Sequence, residues 1–244
     1  MMTSDYHRQL FSAYSRTQID FLDKDEQEKI RWFQVYARLN YLPILDPLDR
    51  ASACMLEIGC NRGYLLHALS LQGFQHLFAV DLSEDDLQTA RSLVPGATIA
   101  CQDAGLYLEQ SSRKFDAILL KAVLEHVPKD NVLPLMERIH NGLKPGGLVI
   151  VDVPNMDWLF ASHERYMDFT HEVGFTKESL RQVMAQVFPG VQVTASQNYG
   201  NVSSLRSLRM RIAQGILKGL LGWADPEGAQ NPIWARSIIG VGRK

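Results

Sequence analysis

Leu56-Glu57-Ile58-Gly59-Cys60-Asn61-Arg62-Gly63 is the stretch whose reading decides the fold. It continues the apolar run Met55–Ile58 and leads into Tyr64–Leu71, which reads as a helix. In a doubly wound sheet, a strand that breaks into a glycine turn and then a helix sits beside the topological switch point, where ligands bind. Glycines there let the backbone approach a ligand closely. The spacing is not GxGxxG, because Asn61 occupies the middle position, and that weakens a dinucleotide reading. Glu57, two residues before the first glycine, is unhelpful beside a phosphate and suits an amino group or a sulfonium.

Outward from this turn, short apolar runs alternate with amphipathic stretches. The runs are Leu77–Val80, Thr98–Cys101, Phe115–Leu120 and Leu148–Val153; the stretches are Glu84–Leu93, Gly105–Gln110 and Val132–Asn141. Near-continuous apolar strands alternating with helices predict an α/β fold with a parallel sheet covered on both faces. The first fifty residues read as helical, with Ile30, Phe33, Tyr36 and Ala37 at helical spacing before Pro43. Beyond Pro154 the alternation loosens into a long connection, 155–176. Thr176 then caps a helix to Phe188, Val191–Ala195 and Ile238–Val241 read as late strands, and Ser203–Leu221 as a basic helix.

Asp81 ends the run Leu-Phe-Ala-Val-Asp, where a carboxylate can accept both hydroxyls of a ribose. Asp103 ends Ala100-Cys101-Gln102-Asp103, within reach of a base edge. Each acid alone reads as a helix cap or a solvated turn. Three acids ending three successive strands beside a glycine turn are hard to explain as caps.

Together these segments resemble class I S-adenosylmethionine-dependent methyltransferases. LEIGCNRG is similar to that family's first motif, FAVDLS to its ribose-binding strand end, CQDA to its adenine turn, FDAILLKAVLEHV to its fourth strand and LKPGGLVIVDVPN to its fifth. The resemblance spans Met55 to Asn155 in the family's order. It implies a seven-stranded, mostly parallel sheet with the last strand antiparallel. An N-terminal helical cap over 1–50 would precede a methyltransferase domain over 51–244, with substrate-side insertions at 155–176 and 202–233, all working as one domain. The implied cofactor is S-adenosylmethionine, held by Glu57, Gly59, Cys60, Asn61, Gly63, Asp81, Leu82, Asp103, Ala104 and Lys121. Glu57 and the glycine-turn backbone would take the methionine part, Asp81 the ribose, Asp103 and Ala104 the adenine. Lys121 would face the sulfonium by its backbone carbonyl. Asn61 is the departure from the motif, and Asn tolerates a left-handed backbone best after Gly.

A hydroxyl acceptor needs a base, and histidine titrates nearest neutrality. His126, after the fourth strand, faces the cleft in this fold, or else opens the following helix structurally. His171 lies in DFTHEVGFT, where Asp168 could orient it as a base; the competing reading is that the segment fixes a loop. That segment and the WARSIIGVGRK end resemble bacterial methyltransferases of surface-polysaccharide and lipopolysaccharide assembly. The expected reaction is therefore O-methylation of a sugar hydroxyl of a glycan or its precursor. The rivals are a quinone- or phenol-type small-molecule methyltransferase, and a non-catalytic cofactor-binding assembly partner. Asp152, Asp168 and His171 lack ligand-dense spacing, and no metal is expected.

The 244 residues carry 25 Lys+Arg against 27 Asp+Glu, a balance that argues against nucleic acid as partner. Three cysteines give no zinc spacing and no disulfide framework, consistent with a cytoplasmic chain. Segment 202–223 carries Arg206, Arg209, Arg211 and Lys218 and no acid. It reads either as a lid helix or as a peripheral contact with the inner membrane face. The oligomeric state stays open.

Overall fold

The computed structural model describes residues 10, 11, 14, 25–197, 205–224 and 235–244. The expected cap over 1–50 and insertion over 202–233 therefore lie partly outside the described residues.

Helices α1 (Glu26–Asn40) and α2 (Leu42–Leu45) lead into the alternating unit. Its members are β1 (Cys54–Ile58), α3 (Tyr64–Ser70), β2 (His76–Asp81), α4 (Glu84–Leu93), β3 (Thr98–Cys101), α5 (Ala104–Gln110) and β4 (Phe115–Lys121). A 3₁₀ turn, Leu124–His126, then precedes α6 (Lys129–Gly142) and the long strand β5 (Leu143–Pro154). The remainder is α7 (Ala161–Tyr166), α8 (Lys177–Met184), β6 (Gln192–Ala195), α9 (Leu205–Ala224) and β7 (Ser237–Arg243).

The seven strands form one sheet in the order β3-β2-β1-β4-β5-β7-β6. The first five pair in parallel, and β7 runs antiparallel to both β5 and β6. The chain builds outward from β1 to β3, then returns to place β4 on the other side of β1. The switch point is thus between β1 and β4, where the glycine turn emerges.

Strand periodicity sends alternate residues to opposite faces. Met55, Ala117, Leu119 and Ile150 pack with Tyr36, Leu65, Leu69 and Leu87 of α1, α3 and α4. Leu56, Ile58, Ile118, Leu120, Val149 and Val151 pack with Leu135, Met136, Ile139, Leu180 and Met184 of α6 and α8. Glu57 therefore shares a face with Met55, beneath the N-terminal helices. Asp116, near the start of β4, accepts the Cys54 N–H at 2.7 Å and the Lys144 ammonium at 2.7 Å, pinning the start of β1.

Element ends differ from the sequence pattern where side chains do not set them. Helix α6 starts at Lys129, a turn before the apolar period begins. The helix expected to run to Phe188 ends at Met184, and its start is a capping box between Thr176 and Ser179. The 155–176 connection holds α7 and an isolated bridge from Asn155 to Phe175.

Candidate active site

A cavity of about 620 Å³ opens at the switch point. Of the residues expected to hold a cofactor, Glu57, Gly59, Cys60, Asn61, Asp81, Leu82, Asp103, Ala104 and Lys121 line it. The turn takes left-handed backbone at Gly59 (φ 71°), Asn61 (φ 48°) and Gly63 (φ 78°). A Cβ on Gly59 would overlap Val123 Cγ2. Gly63 is not in the cavity wall; its missing side chain lets the turn lie against α4, where a Cβ would meet Ala90 at 3.0 Å. Asp86 of α4 braces the same turn, accepting from Arg62 Nε at 3.2 Å and Asn61 Nδ2 at 3.4 Å.

The three acids stand in unlike settings. Asp81 accepts the backbone N–H of Asn61 at 2.8 Å and of Ser83 at 3.0 Å. Burial raises its pKa, and those N–H groups oppose the rise. Glu57 is buried, and its Oε2 has no hydrogen-bond donor among the described residues. Burial, reinforced by the Asp81 charge, pushes its carboxyl well above the usual range. Asp103 accepts the Leu106 N–H at 3.0 Å, so the cap reading of this residue is realised at the start of α5 while it also faces the cavity. Burial likewise pushes the Cys60 thiol up, so it is a backbone position in the turn and not a reactive thiolate.

Lys121 uses its side chain. Its ammonium lies 3.2 Å from Asp152 Oδ2 and 4.4 Å from the centroid of the Tyr36 ring. The same carboxylate oxygen accepts the hydroxyls of Tyr36 at 2.8 Å and Tyr41 at 3.1 Å, tying α1 to the end of β5. Trp32 stacks on Tyr36 at 4.6 Å and lines the cavity with Phe33, Phe11 and Tyr14. The sequence pattern reads Phe33 and Tyr36 as residues at helical spacing, on one face of a helix. Nothing local to α1 shows that part of that face borders a cavity.

The histidines are brought together. His126 lines the cavity, while His171 and Asp168 stand away from its wall. Thr170 links them: its hydroxyl lies 2.8 Å from His126 Nδ1 and donates to Asp168 Oδ1 at 2.6 Å. An ionised carboxylate only accepts, so the single hydroxyl proton goes to Asp168 and Nδ1 must be the donor toward Thr170. The neutral ring then carries its lone pair on Nε2. Asp168 also accepts the Thr170 N–H at 2.8 Å and the Tyr14 hydroxyl at 2.7 Å. Burial works against its ionised form, but these hydrogen bonds outweigh it and hold the carboxyl below its ordinary value. The sequence reading pairs Asp168 with His171; the structure pairs it with His126 through a threonine that reading passes over. Next to His126, Glu125 is buried, and desolvation pushes its carboxyl up to about 8.

A family model described as a methyltransferase domain matches residues 6–188. This chain belongs to that family. The methyltransferase uses S-adenosylmethionine as its cofactor. The ubiquinone biosynthesis O-methyltransferase of Xylella fastidiosa (strain 9a5c) is 33% identical over 122 residues, 48% of this chain and 48% of that protein. The carboxy-S-adenosyl-L-methionine synthase of Aeromonas salmonicida is 26% identical over 175 residues, 65% of this chain and 64% of that protein. The chain thus spans about half to just under two thirds of the curated relatives it matches. Among solved structures, a SAM-dependent methyltransferase from Archaeoglobus fulgidus superposes with a TM-score of 0.64 at 20% identity, covering 89% of this chain and 97% of that one. The N-methyltransferase NodS from Bradyrhizobium japonicum, with S-adenosylhomocysteine, gives 0.61 at 16% identity over 96% and 97%. These two likenesses are of fold.

Proposed function

We propose that this methyltransferase moves a methyl group from S-adenosylmethionine to a hydroxyl of a small, ring-bearing acceptor of phenol or catechol type. One observation carries the reading: His126, its Nδ1 fixed as a donor, stands in a cavity wall otherwise rich in aromatic and apolar side chains. The names of the curated relatives, several of them ubiquinone biosynthesis O-methyltransferases, support a small acceptor over the sugar hydroxyl that the DFTHEVGFT resemblance suggests.

The residues present fit the cofactor. Glu57 offers a buried carboxylate oxygen to a cationic amino group, Asp81 keeps accepting capacity for ribose hydroxyls, and the left-handed turn keeps side chains off the ligand path. S-Adenosylmethionine, when bound, supplies a methyl group already activated on a sulfonium. The chain's own work is alignment and proton removal. Asp152 neutralises the Lys121 ammonium, which would otherwise repel a neighbouring cation. Trp32 and Tyr36 line the cavity and would hold a planar acceptor, and such holding can be worth an effective molarity on the order of 10⁵ M or more. His126 Nε2 takes the hydroxyl proton, a role that contributes roughly 10²–10⁴-fold.

The test is S-adenosylhomocysteine release with a panel of catechols, phenols and nucleotide sugars. Turnover of catechols, lost in His126→Ala while calorimetry still shows S-adenosylhomocysteine binding, is the expected result. Turnover of sugars alone would replace the acceptor; full activity in His126→Ala would remove the base.

We further propose that α9 rests on an anionic membrane surface. Leu208, Ile212, Ile216, Leu220 and Trp223 recur along one side of it and are 53–85% exposed, and the helix carries four basic residues and no acid. Among the described residues, no helix is long and apolar enough to cross a membrane.

A further inference from the structure

Behind His126 lies a cluster that methyl transfer does not require. Glu125 precedes it in the 3₁₀ turn, is 3% exposed, and neither carboxylate oxygen meets a hydrogen-bond donor among the described residues. The His171 ring lies against the His126 ring, centroids 4.7 Å apart. His171 Nδ1 is 2.8 Å from the Glu164 carbonyl, which can only accept, so this ring too donates through Nδ1 and carries its lone pair on Nε2. One nitrogen of each ring and one Glu125 oxygen lie within 4.8 Å of one another. A divalent ion there would displace the carboxyl proton of Glu125, whose oxygen and one nitrogen of each ring then meet the ion as three electron-pair donors.

The frame around the cluster is rigidly laced. The Glu125 carbonyl accepts the N–H groups of Glu172 at 2.8 Å and Val173 at 3.0 Å, and Arg165 donates to the carbonyls of His171 at 2.6 Å and Glu172 at 3.2 Å. Two segments distant in sequence are thus held face to face, each supplying ligands. We propose that Glu125, His126 and His171 bind one divalent transition-metal ion, with Zn²⁺ the ion this donor set suits. Two imidazoles and a carboxylate match the zinc preference for mixed nitrogen and oxygen ligands, whereas Mg²⁺ prefers oxygen alone. Zinc bonds of about 2.0–2.1 Å place ligand atoms roughly 3.4 Å apart, a closure that side-chain rotation supplies. The Thr170 hydroxyl and the Glu164 carbonyl are the outer partners that keep Nδ1 occupied and leave Nε2 to the ion.

The functional consequence rests on the base assignment above; the site itself does not. An ion on His126 Nε2 takes the lone pair that proton removal needs, so metal binding and methyl transfer exclude one another. The experiment is calorimetry of the full chain with Zn²⁺ and with Mg²⁺, alongside methyl transfer at rising Zn²⁺. One equivalent of Zn²⁺ should bind and Mg²⁺ should not. Binding should weaken at least about tenfold in Glu125→Gln and in His171→Ala, and by a similar factor in the outer-partner variant Thr170→Val. Co²⁺ in the wild-type chain should show the visible absorption of low-coordinate nitrogen–oxygen ligation, a reading that holds even if a variant fails to fold. Absence of one-equivalent Zn²⁺ binding and of the Co²⁺ band overturns the site and leaves the base standing. Zinc binding by both single variants at wild-type strength also overturns it. Zinc binding that leaves turnover untouched confirms the site and removes His126 as the base.

Discussion

Glu57 shows at one residue how stability and binding oppose each other. Burial raises its pKa in the folded chain, so its contribution to stability is present at low pH. That contribution is lost as pH rises from the unfolded value of about 4.3 through the folded one. At neutral pH the charge is a cost that a cationic ligand offsets. Glu57→Gln should therefore raise the midpoint of thermal unfolding of the ligand-free protein and weaken its affinity for S-adenosylmethionine. In the wild type, binding a cation favours the carboxylate and expels a proton, so affinity should rise with pH across that window. Calorimetry in buffers of different ionisation enthalpy should show proton release in the wild type and none in Glu57→Gln. A variant that binds as tightly as the wild type would assign the buried carboxylate to structure alone. The sequence shows this acid and its place before the glycine turn. It does not show that Oε2 lacks a donor among the described residues, because charged neighbours such as Asp81 and Lys121 come from other strands.

At the scale of elements, the strands and the helices that cover them were legible, since each has a period of its own. The connection 155–176 was not. It has no period because it is fixed by hydrogen bonds to distant backbone: Asn155 Nδ2 donates to the Ala235 carbonyl, and the N–H groups of Glu172 and Val173 donate to the Glu125 carbonyl. Its working residue is Thr170, whose hydroxyl joins His126 to Asp168. Thr170→Val keeps the shape and removes the hydroxyl, leaving Nδ1 without its acceptor and the ring free to change tautomer. The expected result is a fall in kcat of about 10²-fold, the lower end of what a placed base contributes. KM and S-adenosylhomocysteine affinity should hold, and Thr170→Ser should restore most of the rate. A fall in affinity with kcat intact would make the chain of three a loop fastener only. Helix α6 offers a smaller lesson: its first turn, Lys129-Asp130-Asn131, is polar, so its start is set by the turn after Pro128 and carries no apolar signal.

Across the whole molecule, charge is distributed by role. The acids Glu57, Asp81, Asp86, Asp103 and Asp152 gather at the cavity, while the sequence of α9 holds four basic residues and no acid, and the helix exposes an apolar stripe. Sedimentation with phosphatidylglycerol vesicles should carry the protein down, with phosphatidylcholine vesicles leaving it in the supernatant. Added salt should reverse the binding, as screening weakens surface attraction. Ile212→Asp with Ile216→Asp should abolish it while leaving catechol turnover intact. Self-association through the stripe without vesicle binding would sink the membrane reading in favour of a second copy.

The sequence by itself determined the sheet, the glycine turn and the acids at the strand ends, because each rests on local periodicity or on residues a few positions apart. It also supplied both histidines, but not their relation. Only the tertiary structure decided that His126 meets the cavity while His171 stands behind it. It alone showed that Asp168 is joined to His126 through Thr170, and that aromatic rings from α1 line the cavity. Glu125 became a candidate ligand only when its burial, and the lack of a donor to its oxygens among the described residues, could be seen. Hydrogen-bond partners forty to more than a hundred residues apart are chosen by how the layers pack, and no local pattern in the chain encodes that choice.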